Sequence, residues 1–336
     1  MAVERSKPER STSEWYRDFA VLEARGQSAI FEDWAQGVAG DPEILALIDG
    51  LPLQKRQPNL VFATARLLGV PERTYSEFRA WLLAEWPRVA PEILVRMTQT
   101  NEPRRCTAIL PALALAAGGK DVAMLELGAS AGLCLYPDRY SYRYADGNWL
   151  HPEAGPSTVQ LTADTSGPVP VPSRLPSIVW RAGIDLDPID VSDPNGALWL
   201  QTLIWPEQHR RRQRVEAAAS LVRSDPPTLV RGNAIDELAA LAAQAPKSTV
   251  LVILTSAMLV YLPYLERMSL VEAIRGLSAQ WISLDGVGVL PEVDARAAET
   301  YAPDLKRGQF TLSLDGAPLA TVGPHGQFVN WPKHFD

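Results

Sequence analysis

Cysteine is scarce. The 336 residues hold two, Cys106 and Cys134, and no CxxC pair, so no disulfide framework is expected at this size. The four histidines, His151, His209, His325 and His334, show no metal-ligand spacing, and no zinc site is expected. Long apolar runs are also missing. The longest mostly apolar stretch, 250–262, is interrupted by Thr255, Ser256 and Tyr261 and falls short of the ~18 residues of a spanning helix. The opening segment MAVERSKPERSTSEW is charged and lacks the apolar core of a secretion signal. These absences predict a cytoplasmic protein with no membrane partner. Positive charge is not in excess either. Lys plus Arg number 32 and Asp plus Glu 39, a formal charge of −7, so no nucleic-acid partner is expected.

What remains is ordinary globular material. Apolar types make up 46% and charged types 21%, which excludes disorder, collagen and coiled coil as the main architecture. The length suits two modest domains or one large one, and division by ~150 suggests two.

The first third reads as helices. Ser11-x-x-Glu14 has the form of a capping box, and Trp15, Phe19 and Leu22 follow at helical spacing. Asp41-Pro42 supplies an N-cap and a first-turn proline, with Gly50 at the far end. Leu60 to Leu68 continue the pattern, and Phe78, Trp81, Leu82 and Trp86 mark another helix. Asn101 is placed to cap a last helix, with Pro103 in its first turn and Gly118-Gly119 beyond its end.

The character changes at Lys120. Val122–Leu127, Ser177–Arg181, Thr228–Arg231, Thr249–Leu254 and Trp281–Leu284 are short β-like runs alternating with helical stretches. Such alternation implies right-handed crossovers and a parallel sheet. Phe310–Leu314 and Pro318–Val322, split by Asp315-Gly316, read as a closing antiparallel hairpin. The predicted fold is therefore α/β, a Rossmann-like, mostly parallel sheet over 120–336, preceded by an all-α layer over 1–119. An insertion at 136–176, rich in proline and tyrosine, reads as a small hairpin or lid over the sheet's rim.

Chemistry concentrates at Glu126-Leu127-Gly128-Ala129-Ser130-Ala131-Gly132-Leu133. A buried strand runs into a turn of small residues and then into a predicted helix. Small residues let a ligand approach the backbone, and a helix N-terminus offers amides to a nucleotide or a carboxylate. Tight strand-to-helix turns that bind nothing use the same residues. Two chemistries fit the letters. Glu126, Gly128, Ser130 and Gly132 resemble motif I of class I S-adenosylmethionine-dependent methyltransferases, with Ser130 where a glycine is usual. The same letters match the G-x-S-x-G nucleophile elbow of α/β-hydrolases, for which Asp285 and His325 complete the Ser, Asp, His order. The turn follows the first strand, as a nucleotide-binding sheet requires, and no HGGG-like loop precedes it.

Downstream stretches fit the first chemistry. Gly183-Ile184-Asp185-Leu186-Asp187-Pro188 resembles the methyltransferase stretch whose acid takes the ribose hydroxyls, and a carboxylate offers two acceptors for a vicinal diol. Asp185 is the candidate, with Asp187 as the alternative. Gly232-Asn233-Ala234 stands where such enzymes read the adenine edge, and Thr255-Ser256 stands where they reach the methyl group. The expected cofactor is S-adenosylmethionine. Asn101, Glu102, Arg105, Asp138 and Tyr140 are candidates for binding the substrate, Arg105 as a bidentate fork. Capping and solvation are the plain alternatives for these groups. Cys134 falls in the expected first helical turn, where the dipole lowers a thiol's pKa; a small apolar filler is its other reading. Arg210-Arg211-Arg212 and Arg214 read as a solvated helix face.

Over nearly its whole length the chain resembles DUF2332, a family of uncharacterised bacterial proteins. The stretches that carry this are Gln57-Pro58-Asn59-Leu60, Gln99-Thr100-Asn101-Glu102, Glu126–Leu135, Asp138-Arg139-Tyr140, Gly183–Pro188, Trp205-Pro206-Glu207-Gln208, Gly232-Asn233-Ala234 and Pro324-His325-Gly326. The resemblance implies Asn at 134, Asp at 233 and a histidine near Leu254, and this chain departs from it at all three. Three functions stay open: a methyltransferase-like protein acting on a small molecule, a serine esterase using Ser130, Asp285 and His325, and a non-catalytic nucleotide-binding or interaction module.

Overall fold

Ser11 Oγ accepts the amide of Glu14, and Glu14 Oε2 accepts the amide of Ser11 at 3.0 Å. This closes the capping box that starts the first helix, α1 (Thr12–Asp18). The computed structural model describes residues 10–306 and 308–333; the charged opening residues 1–9 and His334 lie outside them. After α1 the chain widens into π-helical turns over Phe19–Ala24. The widened turn buries Phe19, Ala20 and Ala24 beside Tyr16 and leaves Leu22, expected on the inner face, 77% exposed.

The helices α2 (Ala29–Ala39), α3 (Pro42–Asp49), α4 (Pro58–Leu67) and α5 (Tyr75–Val95) follow, and then α6 (Cys106–Ala117) leads into strand β1 (Val122–Leu127). Asp41 Oδ1 caps α3 through the amides of Glu43 and Ile44. Beyond β1 come β2 (Ser141–Tyr144), β3 (Gln160–Ser166) and β4 (Ile178–Asp185), then α7 (Pro194–Thr202) and α8 (His209–Ser224). The alternation resumes with β5 (Thr228–Arg231), α9 (Ala234–Ala242), β6 (Val250–Ser256), α10 (Tyr264–Arg275), β7 (Gln280–Gly286) and α11 (Pro291–Thr300). The strands β8 (Phe310–Leu314), β9 (Ala317–Val322) and β10 (Phe328–Asn330) close the fold.

Two units result. One comprises the residues up to Thr100 with Asp193–Gln213; the other comprises Asn101–Ser192 with the residues from Arg214 onward. The boundary near 119 expected from the sequence is not where they divide. Helix α6 is apolar all round and buried on nearly every side, and it packs on β6, β7 and β8. It is therefore part of the sheet unit.

The helical unit is built on edge-to-face and stacked rings. Phe62 meets Tyr16, Phe31, Trp34 and Phe78, and Trp205 meets Phe19 and Phe31. Trp205 Nε1 donates to Asn59 Oδ1 at 2.9 Å, and Glu207 accepts the Ile30 amide at 3.0 Å. Trp205, half-buried, is thus part of this unit's ring cluster.

The other unit is one sheet of ten strands in the order β2-β3-β10-β9-β8-β7-β6-β1-β4-β5. The pairs β1/β4, β1/β6, β4/β5 and β6/β7 are parallel. The hairpin expected after β7 is present, antiparallel to it. From β1 the chain fills one side with β4 and β5, then crosses to fill the other with β6 and β7. The switch point lies between β1 and β6, the place where ligands of open α/β sheets sit, at the strands' carboxyl ends. One face carries α6. On the other, Leu125, Leu127, Ile253 and Trp281 form a core with Leu238, Leu270 and Ile274.

The insertion differs from its expected form. β2 and β3 are a parallel pair and extend the sheet beside β10, instead of forming a hairpin over the rim. Tyr140, Tyr142 and Tyr144 point inward, and each hydroxyl donates to a carbonyl, of Leu133, Pro137 and Thr107. Burial with a satisfied hydroxyl explains why tyrosine fills these places. The three-residue β10 is too short to leave an alternation signal in the sequence.

Candidate functional site

The bend after β1 has three left-handed positions, Gly128 (φ 73°), Ser130 (φ 52°) and Gly132 (φ 72°). Among the described residues, four non-glycine residues have positive φ. Ala145 and Asp315 stand in turns following β2 and β8; the other two, Ser130 and Ala257, follow β1 and β6, the strands on either side of the switch point. Such conformations cost on the order of 1 kcal/mol each and gather where the backbone is held for a purpose.

The bend is not the open cradle that its small residues suggest. Gly128 and Ala129 donate to Ile184 O, Gly132 donates to Ala129 O, and Ser130 N–H donates to Asp185 Oδ2 at 2.8 Å. A Cβ at Gly128 would lie 2.6 Å from Met258 Cβ, and one at Gly132 would lie 3.1 Å from Pro227 Cγ. The expected helix after the bend is a three-residue 3-10 turn, Leu133–Leu135, which has no dipole to offer. The glycines at 128 and 132 therefore serve close protein packing.

Asn101 does not cap a helix. It is 6% exposed and spans the bend: Nδ2 donates to Ala129 O at 3.0 Å, and Oδ1 accepts from Leu133 N at 2.8 Å. The cap of the following turn is Glu102, which accepts the Arg104 amide. Fully buried Glu102 also accepts Arg214 Nε at 2.8 Å, so Arg214 leaves the solvated face assigned to it. Arg105 is buried and donates to Pro324 O at 3.0 Å and Ser256 O at 3.2 Å. Gly326 fits only without a side chain, since a Cβ would stand 2.1 Å from Arg104 O, and Thr107 Oγ1 donates to Gly326 O at 2.7 Å. The Pro324–Gly326 loop is thereby latched to the residues before α6, a contact for which Gly326 was the one sequence signal.

The remaining candidates divide. Asp185 is half-buried, its carboxylate oriented by the amides of Ser130 and Asp187. Asp187 pairs with Arg231 at 2.6 Å. Asn233 is exposed and caps α9 through the Ile235 amide, with Ala234 as the first helical residue. Thr255 is fully buried and accepts Trp281 Nε1 at 3.1 Å, on the core side. Asp138 pairs with buried Arg181 at 2.5 Å, and Tyr140 is fully buried; neither lines an entrance. Burial raises the Asp138 pKa, against the pull of Arg181. Cys134 is buried beside Cys106. The neighbouring Cys106 side chain, then burial, pushes its pKa well up, the opposite of the activated thiol a helix dipole would produce.

Two side chains on this rim are buried with a polar atom lacking any hydrogen-bond partner among the described residues: Glu126 (Oε2) and Ser130 (Oγ). Burial raises the Glu126 pKa well above the carboxylate range, with Arg105 opposing. Burial likewise raises Asp285 to about 7, opposed first by Arg105 and then by the Leu259 amide, Arg267 and the Thr255 hydroxyl. Since Ser130 Oγ is unpartnered, no hydrogen bond joins it to His325 as the triad of a serine esterase requires. Among the described residues no group of three His, Cys, Asp or Glu side chains is placed to hold a metal, and no helix is long and apolar enough to cross a membrane.

The family model described as "Uncharacterized protein conserved in bacteria (DUF2332)" matches residues 13–331. The chain belongs to this family. No curated protein and no solved structure matches it. Several DUF2332 stretches meet in space. Gln57–Leu60 meets Trp205–Gln208 through Asn59, and Asn101-Glu102 holds the 126–135 bend. A hollow of about 480 Å³ lined by Ser166, Tyr301, Thr321 and Asn330 lies apart from the rim and includes none of the candidate residues.

Proposed function

We propose that this DUF2332 chain binds S-adenosylmethionine, or a metabolite sharing its adenosyl group, at the carboxyl ends of β1, β4 and β6, and that it is a methyltransferase-like protein acting on a small molecule. One observation carries the reading: the switch point of the sheet coincides with buried, unpartnered polar atoms of Glu126 and Ser130, at the end of β1 and in the bend that follows it. Unsatisfied buried groups cost about 1–3 kcal/mol each, and a ligand that completes their hydrogen bonds removes that cost.

In this reading Asp185, fixed by two backbone amides, faces the ribose hydroxyls, and Asn233 offers its amide to the base edge. Gly128 and Gly132 shape the bend and give no amides to the ligand. S-adenosylmethionine supplies an electrophilic methyl group. Transfer to an oxygen or nitrogen acceptor needs mainly alignment and exclusion of water. Val260, Tyr261, Tyr264 and Leu265, exposed just beyond β6, offer apolar surface to the acceptor.

The test is isothermal titration of the full chain with S-adenosylhomocysteine. Binding that weakens about tenfold or more in Asp185→Ala supports the reading. Absence of binding by protein with a cooperative melting transition rejects it.

A further inference from the structure

Three hydrogen-bonding side chains stand in a row where β3, β10 and β9 lie side by side. Ser166 pairs with Asn330, and Asn330 pairs with Thr321. Directly paired residues share a face of a sheet, so the hydroxyls of Ser166 and Thr321 flank the Asn330 amide. All three line the hollow of about 480 Å³, a size within the roughly 300–1,000 Å³ of small-molecule sites. Tyr301, just past the end of α11, joins them with Trp331 and Lys333. The wall is held by backbone contact. Trp331 N–H donates to Ser166 O at 2.7 Å. A Cβ at Gly167 would overlap Trp331 O, so the chain leaving β3 meets the chain leaving β10 only because residue 167 is glycine, at φ +76°.

Packing leaves two features of this lining unexplained. The Tyr301 hydroxyl is buried with no hydrogen-bond partner among the described residues, whereas buried polar atoms are normally satisfied. Burial raises its pKa, and Asp294 adds to the rise, so the hydroxyl is a neutral donor at any ordinary pH. Lys333 is the only charged side chain of the lining, and no acid among the described residues pairs with it.

We propose that this hollow binds an anionic sugar, a monosaccharide phosphate or a sugar acid. Each hydroxyl of the wall both donates and accepts, and the Asn330 amide does the same through two atoms. A polyhydroxylated ligand is the partner that uses both capacities at every position. The rings of Tyr301 and Trp331 offer apolar surface to the C–H groups of a sugar while their polar tips stay available. No carboxylate lines the hollow, which makes a cation a poor occupant, and the Lys333 ammonium is left to take the ligand's phosphate or carboxylate. The hollow shares no residue with the adenosyl site proposed above, so each reading stands or falls alone.

The experiment titrates the full chain with glucose 6-phosphate, ribose 5-phosphate and glucuronate, and with glucose and inorganic phosphate as the two halves of the chemistry. At least one sugar anion should bind about tenfold or more tighter than glucose or phosphate alone. A preference for the phosphates or for glucuronate supports the inference either way and tells the two sources of the anion apart. Lys333→Met should weaken the bound sugar anion about tenfold. Tyr301→Phe should weaken it about fivefold, yet melt no lower than the wild type without ligand, because the hydroxyl removed has no protein partner to lose. Glucose or phosphate binding as tightly as the sugar anions overturns the inference. So does binding that neither substitution weakens, since it then lies elsewhere, and so does failure of all three sugar anions to bind protein with a cooperative melting transition.

Discussion

Asn101 holds both ends of the bend that follows β1, giving its amide hydrogens to Ala129 O and taking the Leu133 amide on its oxygen. One buried side chain thus replaces two backbone contacts that a regular helix after β1 would have made for itself. The bend is irregular because Asn101 permits it to be.

Asn101→Ala should destabilise the sheet unit by about 2–4 kcal/mol, since two buried hydrogen bonds vanish and a buried amide is left unsatisfied. Urea unfolding followed by tryptophan fluorescence measures it. A loss under about half a kcal/mol would show that the bend holds its shape without this residue.

Glu102 is fully buried and paired with Arg214. Arg214→Ala removes this partner of the buried charge and should cost about 3–5 kcal/mol, whereas Glu102→Gln combined with Arg214→Met should recover most of it. A double-mutant cycle reads the coupling, and strictly additive losses would contradict the pairing.

Gly326→Ala places a Cβ 2.1 Å from a backbone oxygen at φ +69°. Both the overlap and the left-handed backbone resist it, so a loss of about 3 kcal/mol or more is expected. Because the loop's Pro324 carbonyl receives Arg105, hydrogen exchange at the residues before α6 should quicken in the same variant.

The pH dependence of stability has a definite direction at Asp285. Its folded pKa of about 7 stands above the ordinary 3.8, so the folded state keeps a proton that the unfolded state has lost. Stability from this group is complete below about pH 4 and declines as pH rises to about 7, by up to about 4 kcal/mol. Asp285→Asn should remove that decline, and the difference between the two unfolding curves against pH isolates it. Parallel curves would mean that the carboxyl titrates normally.

Local sequence determined a good deal of this protein. The capping box at Ser11, the Asp41-Pro42 start and Gly50 end of α3, the strand at 228–231 and the 310–314 strand of the closing hairpin all follow from interactions within a few residues. Alternation of strand and helix sufficed for a mostly parallel sheet, because right-handed crossovers leave few other arrangements. Tertiary structure alone decided the rest. Whether a turn of small residues is an open cradle depends on what packs against it, here Met258 and Pro227, both distant in sequence. The tyrosines of the insertion looked like an entrance, but β2, which carries two of them, pairs with β3 inside the sheet, and all three are buried. Asn101 and Arg214 found partners 28 and 112 residues away. Hydrogen bonding and charge compensation are settled by proximity in space, which local pattern does not encode, whereas caps, turns and strand alternation act over a few residues and can be read directly.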